Sequence, residues 1–232
     1  MPASAAPIGQ TGRVSEQSGI DREKKLAAEA AAELVQDGMA VGLGTGSTVA
    51  YLLPALARRR LSIRCVATSM DTARKATELG LAVDSVDTLE MLDIAIDGAD
   101  QITPDGWLVK GGGGAHTREK VVAASAARFV VIADSTKPVQ ALRPPIPLEL
   151  LSFGLAATLK HLGEAGVVRP GAPASPDGGV IADYHGPIGD PAEAAAWLAA
   201  IPGVVGHGLF EPAITSDVLI GGDNSVEHRI LR

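Results

Sequence analysis

The sequence is poor in three kinds of residue, and each scarcity excludes a class of protein. Its 232 residues include one cysteine, Cys65, so neither an intrachain disulfide nor a thiolate metal cage can form. Only seven side chains are aromatic (two Trp, two Tyr and three Phe), too few for a platform that stacks single-stranded bases. Asp and Glu number 27 against 20 Lys and Arg, and the net charge of −7 gives no general attraction to a phosphate backbone. We therefore expect no nucleic-acid partner.

Long apolar runs are also scarce. The longest nearly apolar run spans 121–133, which is too short to cross a membrane, and it contains Arg128. Residues 1–19 have neither the basic start nor the apolar stretch of a signal peptide, and their Ala, Ser, Gly and Pro content predicts a disordered leader. We expect no membrane partner. We also expect Cys65 to be a buried core side chain, which is compatible with a cytoplasmic location.

The remaining residues alternate between two periodicities along most of the chain. Leu, Ala and Val recur at helical spacing over 21–36, and further helices are indicated between short apolar runs. These apolar runs predict buried strands at 39–43, 62–68, 92–97 and 129–133. Continuous apolar strands that alternate with helices are typical of a parallel sheet covered on both faces. The sequence therefore predicts an α/β fold, with a Rossmann-like, mostly parallel sheet and helices on both of its faces.

The pattern changes after Pro144 and Pro145. Two predicted strands and two predicted helices follow, and they indicate a smaller α+β domain. Between them, a stretch rich in Pro, Gly, Ala and Ser at 169–177 predicts an exposed loop. The predicted organisation is a disordered leader at 1–19, an α/β catalytic domain at 20–142 and 206–232, and the smaller α+β domain at 143–205.

A glycine-rich loop at 44–48, Gly-Thr-Gly-Ser-Thr, joins the first predicted strand to a helix. Its glycines permit a tight turn, its hydroxyls can donate hydrogen bonds, and a helix N-terminus favours an anion. A phosphate cradle and an ordinary tight turn both remain open. The loop lacks the lysine of a P-loop, and Ser47 stands where a dinucleotide fingerprint has its third glycine. No nicotinamide cofactor is therefore expected.

A pair of carboxylates follows the strand predicted at 92–97. Asp97 lies at the end of that strand, and Asp100 can reach the same place because Gly98 permits a sharp turn. Ligands of open parallel sheets bind beyond the carboxyl ends of the strands, where paired carboxylates can bind sugar hydroxyls or transfer protons. The alternative is that the two carboxylates only cap a loop.

Four consecutive glycines at 111–114 stand between Lys110 and another predicted helix. Such a run costs backbone entropy, and close approach of the backbone to a ligand is its usual purpose. Lys110 supplies a cation, and Glu119 supplies a carboxylate early in the helix. A flexible linker is the alternative, although linkers are rare inside an α/β core. Arg118 and Lys120 are interpreted as solvated helix charges without a catalytic role.

The three segments, in this order and spacing, resemble the signatures of the A-type ribose-5-phosphate isomerases. The most specific match runs from Lys110 through the glycines to Thr-Arg-Glu-Lys at 117–120. Further support comes from 132–137, 147–151 and 201–210. The resemblance covers residues 20–232 and implies the interconversion of ribose 5-phosphate and ribulose 5-phosphate in the pentose phosphate pathway. It also implies a homodimer or homotetramer.

The resemblance implies roles for particular residues. Glu119 would be the base that moves a proton between C1 and C2 through an enediolate. Lys110 would stabilise the developing oxyanion, and Asp97 would assist ring opening or transfer of a hydroxyl proton. The substrate-binding residues implied are Lys24, Thr45, Gly46, Ser47, Thr48, Asp97, Gly98, Ala99, Asp100, Lys110, Gly111, Gly112, Gly113 and Lys137, with the phosphate held mainly by residues 45–48, Lys137 and Lys24.

The five histidines are scattered, with no i, i+4 pair or ligand cluster, so we expect neither a metal nor another cofactor. They are His116, His161, His185, His207 and His228. His116 stands where the family commonly has an apolar residue. It could contact the substrate or alter the pKa of the base, but the favoured interpretation is a partly exposed side chain at the start of a helix. Gln101 replaces a usual acidic residue and removes one negative charge near the site.

Two alternative functions remain open. One is an isomerase of another phosphorylated aldose, such as a hexose 6-phosphate. The other is a non-catalytic module that senses sugar phosphates, since similar folds occur as effector domains of transcription regulators. A sensor needs no general base, so the presence of Glu119 favours an enzyme.

Overall fold

The computed structural model describes residues 10–88 and 91–232. Six α-helices lie in these two ranges: α1 Gln10–Ala32, α2 Val49–Arg59, α3 Met70–Glu78, α4 His116–Ala124, α5 Leu155–Leu162 and α6 Pro191–Ala200. Because α1 begins at Gln10, the disorder expected for the leader does not extend over residues 10–19. Residues 1–9 of that leader lie outside the described part. No helix in the described ranges is long and apolar enough to cross a membrane.

The largest sheet has seven strands in the order β14-β13-β7-β4-β1-β2-β3. Neighbours in it pair in parallel, except that β13 and β14 are antiparallel. Its strands are β1 Ala40–Leu43, β2 Arg64–Ala67, β3 Ala82–Val83, β4 Leu92–Gly98, β7 Ala126–Asp134, β13 Asp217–Gly221 and β14 Val226–Ile230. The two C-terminal strands therefore complete this sheet.

Helices cover both faces of this sheet, as the alternating side chains of its central strand, β4, show. In β4, Ile94 and Ile96 pack with α1 and α2 on one face, whereas Ala95 between them packs with α4 on the other. A strand with apolar residues on both faces is typical of a doubly covered parallel sheet, so the predicted α/β class is confirmed. Cys65 is also buried as expected, and burial, with a smaller effect of Asp84, raises the pKa of its thiol to about 12.

Two smaller antiparallel sheets complete the fold. A four-stranded sheet with the order β11-β8-β10-β9 packs against α5 and α6, and a three-stranded sheet has the order β12-β6-β5. Their strands are β5 Gln101–Ile102, β6 Leu108–Val109, β8 Ile146–Leu150, β9 Gly166–Val168, β10 Val180–Tyr184, β11 Val204–His207 and β12 Leu209–Phe210. The division into domains remains a prediction, and β11 crosses its boundary between residues 205 and 206.

Several local details differ from the sequence-based expectations. The sequence predicts a helix from about Thr117 to Ala127, but α4 ends at Ala124, because Ala126 already begins β7 and pairs with Leu92 of β4. Pro54, at which the sequence predicts a kink or a restart of the helix, lies inside α2, which continues past it to Arg59. Strands β3, β5, β6 and β9 have only two or three residues, too few to reveal a periodicity.

One close approach fixes how α1 lies on the sheet. A Cβ placed on Gly221, the last residue of β13, would lie 2.0 Å from the backbone oxygen of Glu23 in α1. The buried Glu23 carboxylate in turn accepts hydrogen bonds from the backbone N–H (2.9 Å) and hydroxyl (2.7 Å) of Ser135, just after β7. Gly221 therefore lets α1 contact the ends of two strands.

We expect Gly221→Ala to lower the free energy of unfolding by about 1–3 kcal/mol, because backbone must move to admit the methyl group. Denaturant unfolding measures the change. Gly222→Ala is the matched control, since its Cβ would lie 3.7 Å from the nearest atom, the Ser225 oxygen. Equal stability of the two variants would contradict this close approach.

Candidate active site

Three parallel strands bring the candidate residues to one edge of the large sheet. The loop at 44–48 follows β1, Asp97 lies near the end of β4, and Lys137 follows β7. These strands are neighbours in the order β7-β4-β1, so their carboxyl ends lie side by side. The first and second sequence motifs therefore meet at this edge, as expected.

Gly44 makes this meeting possible. A Cβ there would lie 1.9 Å from Cγ of Asp97, so any larger residue would displace the carboxylate. Oδ1 of Asp97 accepts hydrogen bonds from the backbone N–H groups of Thr45 (3.1 Å) and Gly98 (2.7 Å). The glycine-rich loop thus orients Asp97 from one side, and the strand end orients it from the other.

Lys110 connects Asp97 to Glu119 in the interior of the protein. Its ammonium nitrogen lies 2.8 Å from Oδ2 of Asp97 and 3.3 Å from Oε2 of Glu119, and all three side chains are at most 5% exposed. Lys110 also donates a hydrogen bond to the backbone oxygen of Gly98. The residues come from β4, from the end of β6 and from the first turn of α4. One cation is thus shared by two carboxylates.

Burial governs the protonation of this cluster. It raises the pKa of Glu119 to about 8; Lys110 opposes the rise, and the neighbouring charge of Asp97 adds to it. Burial also raises the pKa of Asp97 despite the attraction of Lys110. For Lys110, burial lowers the pKa, but Asp97 and Glu119 outweigh it and the net pKa is raised. The cluster therefore keeps its cation and holds a carboxyl group that can exchange a proton near neutral pH.

The four-glycine segment forms the next wall of the site. Gly111 adopts a φ of +107°, a left-handed conformation that favours glycine. The backbone N–H of Gly112 donates to Oδ2 of Asp100 over 2.9 Å. This bond holds Asp100 against the glycine segment, which the flexible-linker alternative would not require.

These elements enclose a cavity of about 230 Å³, a size suited to a small metabolite. Each residue that lines it was a candidate from the sequence: Thr45, Gly46, Ser47, Thr48, Gly98, Ala99, Asp100, Lys110, Gly111, Gly112, Gly113, Glu119 and Lys137. Asp97 is absent from the lining but contacts Lys110 directly.

One candidate is placed differently from what the sequence suggested. Lys24 does not line the cavity; its ammonium lies 3.7 Å from Asp21 on the same helix. Thr45 does line the cavity, and its hydroxyl is 2.8 Å from the hydroxyl of Thr68. Its backbone N–H also orients Asp97.

The two residues that depart from the family pattern, His116 and Gln101, both make structural contacts. The expectation that His116 is partly exposed is wrong: it is completely buried, and Nδ1 would lie 2.7 Å from a Cβ on Gly111. Burial lowers its pKa to about 4, so the imidazole is neutral. Gln101 uses its amide to bind both backbone groups of Arg143, at 2.7 and 2.8 Å, a pairing that a carboxylate could not complete.

Sequence reasoning missed the residues that support the site from behind. Thr68 and Thr72 bond to the first loop, with the hydroxyl of Thr72 donating to the Gly44 oxygen over 3.0 Å. Arg169 contacts the glycine segment from a distant part of the chain. These are isolated residues outside any motif, so the sequence contained no signal for them.

Comparisons with known proteins show the family to which the chain belongs. A family model described as ribose 5-phosphate isomerase A (phosphoriboisomerase A) matches residues 64–225, and one described as the DeoR C terminal sensor domain matches residues 21–83. The chain is 46% identical over 219 residues to ribose-5-phosphate isomerase A of Roseiflexus castenholzii, covering 88% of this chain and 94% of that protein. It is 44% identical to the protein of the same name from Caulobacter sp. strain K31, covering 89% and 96%.

Solved structures of ribose 5-phosphate isomerases also match the fold of this chain. Ribose 5-phosphate isomerase A from Neisseria gonorrhoeae aligns with a TM-score of 0.87 at 30% identity, covering 91% of this chain and 97% of that one. A D-ribose-5-phosphate isomerase in complex with phospho-erythronic acid aligns with a TM-score of 0.86 at 32% identity, covering 91% and 99%. Fold and relatives together define the class: the chain is an enzyme, an aldose–ketose isomerase. Within that class, it belongs to the ribose 5-phosphate isomerase A family.

We expect Glu119→Gln to become more stable relative to the wild type as the pH rises. A carboxyl group whose pKa is raised by folding stabilises the fold while protonated and loses that contribution as the pH rises through the folded pKa. For Glu119 the window runs from the ordinary value of 4.5 to about 8, and glutamine does not ionise. The measurement is the difference in Tm between variant and wild type across this window.

The exposed Glu227 supplies the control, because Arg229 lowers the pKa of this carboxyl group. Glu227→Gln should therefore show no upward trend over the same pH range. A flat or falling difference for Glu119→Gln would contradict the raised pKa.

Proposed function

We propose a residue-by-residue route for the isomerisation, in which Glu119 is the base, Lys110 stabilises the oxyanion and Asp97 handles hydroxyl protons. As a family member, the chain interconverts D-ribose 5-phosphate and D-ribulose 5-phosphate, a reaction of the non-oxidative pentose phosphate pathway. The observation that carries the route is the buried contact of Lys110 with both Asp97 and Glu119.

The first step removes the weakly acidic C2 proton of the open-chain aldose. Glu119 takes this proton, and the electron pair of the C–H bond forms the C1–C2 double bond while O1 gains the charge. A carboxyl group whose pKa is about 8 is a stronger base, once ionised, than an ordinary glutamate. Glu119 then returns the proton to C1, which completes the transfer from C2 to C1.

Lys110 and Asp97 act on the oxygens while Glu119 acts on the carbons. The ammonium of Lys110 is fixed before the reaction by Asp97, so it stabilises the enediolate oxyanion without reorganisation. The ketose forms only when the proton on O2 leaves, and Asp97 is the carboxylate that would relay it toward O1. Both of its oxygens are already oriented by Lys110, Thr45 and Gly98.

The phosphate would bind at the opposite end of the cavity. Thr48 is the N-cap of α2 and makes no side-chain capping bond. The N–H groups of Ala50 and Tyr51 already donate to the oxygens of Gly46 and Thr48, so we assign the anion to the N–H groups that precede them at this helix end. Lys137 lines the same cavity and adds a positive charge. A solved relative holds phospho-erythronic acid, which supports a phosphorylated, hydroxyl-rich ligand for this chain. Binding the phosphate away from C1 and C2 would use its binding energy to orient the sugar.

A metal-assisted hydride shift is the other route between an aldose and a ketose. Among residues 10–88 and 91–232, no group of three His, Cys, Asp or Glu side chains is arranged to hold a metal ion. The space between Asp97 and Glu119 is instead filled by the ammonium of Lys110. This arrangement supports proton transfer, which predicts full activity after exhaustive chelation.

The match to a sensor domain supports a second candidate, binding of sugar phosphates without catalysis. That match ends at residue 83, before Asp97, Lys110 and Glu119. A sensor would need none of these three residues, so their presence favours an enzyme. A homodimer or homotetramer and a cytoplasmic location both remain predictions.

We expect Glu119→Gln to lower kcat by about a thousandfold while KM changes less than threefold, because the base is lost and the phosphate contacts remain. The assay follows ribulose 5-phosphate formation from ribose 5-phosphate with chelator present, and a hexose 6-phosphate is run in parallel. Turnover close to that of the wild type would contradict the base assignment. A folded wild type that binds ribose 5-phosphate without turnover would favour the sensor.

We expect Lys137→Ala to raise KM about tenfold or more with a smaller change in kcat, because a hydrogen bond to a charged group contributes about 1.5–3 kcal/mol. Lys25→Ala is the matched control: this lysine is exposed on α1, 4.0 Å from Glu29. Steady-state kinetics with ribose 5-phosphate measures both variants. An unchanged KM for Lys137→Ala would refute its role in phosphate binding.

A further inference from the structure

The proline-rich segment that connects β9 to β10 is attached at both ends to elements of the active site. At its start, Arg169 reaches the glycine segment. Near its end, Asp177 pairs with Arg118 at the start of α4, with a shortest separation of 2.6 Å. A segment that the sequence predicted to be a plain exposed loop therefore contacts the two elements that carry Lys110 and Glu119.

Arg169 holds the glycine segment through its carbonyl oxygens. Its Nη1 donates to the oxygen of Gly111 over 3.3 Å and to the oxygen of Gly112 over 3.0 Å. The rest of the guanidinium is fixed by Asp183 on β10, which accepts from Nε at 2.8 Å and from Nη2 at 2.6 Å. One planar group thus connects β10 to two consecutive peptide oxygens.

The peptides are therefore fixed from both sides. Arg169 holds the Gly112 oxygen, and Asp100 in the catalytic cavity accepts the Gly112 N–H over 2.9 Å. Gly112 and Gly113 also line a second cavity of about 370 Å³, and Arg169 is among the residues around it. The glycine segment therefore separates the catalytic cavity from this second cavity. Without Arg169, the Gly112 oxygen would lose this contact, and the Gly111 oxygen would keep only its bond from the Gly114 N–H.

We propose that Arg169 and Asp183 form a clamp that positions the glycine segment, and through it Lys110 and Asp100, for isomerisation. Arg169 is a positioning residue, because it contacts the backbone of the segment and none of the three proposed catalytic side chains. The purpose of the clamp rests on the proposed function, whereas the clamp itself is defined by its contacts. Lysine could not replace arginine, because a single ammonium lacks the planar fork that binds a carboxylate and two carbonyls together.

Kinetics of three variants test the clamp. Arg169→Lys keeps the charge and loses the fork, and we expect kcat to fall about ten- to a hundredfold, the scale of an ångström-sized misplacement of catalytic groups. KM should change less than threefold, because Lys137 and the α2 N-terminus are untouched. Asp183→Asn should lower kcat similarly, and the double variant should lose little more, because the two residues act as one unit.

Arg128→Lys is the matched control. Arg128 also forms a bidentate pair with a carboxylate, Asp217, at 2.7 and 2.8 Å, but it contacts no part of the active site. The Arg128→Lys variant should be less stable than the wild type but should keep the wild-type kcat. If Arg169→Lys keeps the wild-type kcat, or if only KM rises, the clamp is refuted and Arg169 is a simple source of positive charge or a stabilising residue.

Two further measurements separate this inference from the proposed mechanism. Millimolar guanidinium should restore part of kcat in Arg169→Ala but not in Glu119→Gln, whereas a purely structural role would give no rescue in either. Hydrogen exchange of the Gly112 amide should become faster in Arg169→Lys, in the absence of any substrate. If the wild type does not isomerise ribose 5-phosphate, the mechanism fails while this exchange still tests the clamp. Unchanged exchange refutes the clamp even in an active enzyme.

Discussion

One buried ammonium group, that of Lys110, determines how the rest of the site is arranged. It lies between Asp97 and Glu119 where water is largely excluded, and two ionised carboxylates around one cation would leave a net negative charge. Burial disfavours that excess charge and raises the pKa of both acids. The arrangement that removes charges from water therefore also produces a carboxyl group able to take and return a proton near neutral pH.

The fold supplies this cluster from segments that are far apart in the chain. Asp97 is delivered by the end of a parallel strand, and Glu119 is delivered by the first turn of α4. The close packing has strict steric requirements, since Gly44 leaves no room for a Cβ beside Asp97 and Gly111 leaves none beside His116. The glycines of the two loops are therefore needed for packing as well as for ligand approach. Burying charges costs stability, and natural active sites commonly accept that cost for function.

Much of the fold and the cavity lining could be predicted from the sequence, because both depend on local patterns. Apolar runs identified the long strands, and three short motifs contained every residue that lines the cavity except Lys137, which the family resemblance implied. The contacts of Arg169 with the Gly111 and Gly112 oxygens could not be predicted, because they join residues more than fifty positions apart without a motif. The burial of His116 was missed for a similar reason, since one of its contacts is the Gly206 oxygen, 3.4 Å from Nε2 and ninety positions away in the chain.

The same charge balance explains why the site needs two separate ends. The chain carries a net charge of −7, yet its substrate is an anion. Lys110 cannot attract the phosphate effectively, because Asp97 and Glu119 already neutralise it. We propose that the attraction comes instead from Lys137, which lines the same cavity, and from the N-terminus of α2. In the proposed route, phosphate binding and proton transfer thus use different groups around one cavity, so neither weakens the electrostatics that the other requires.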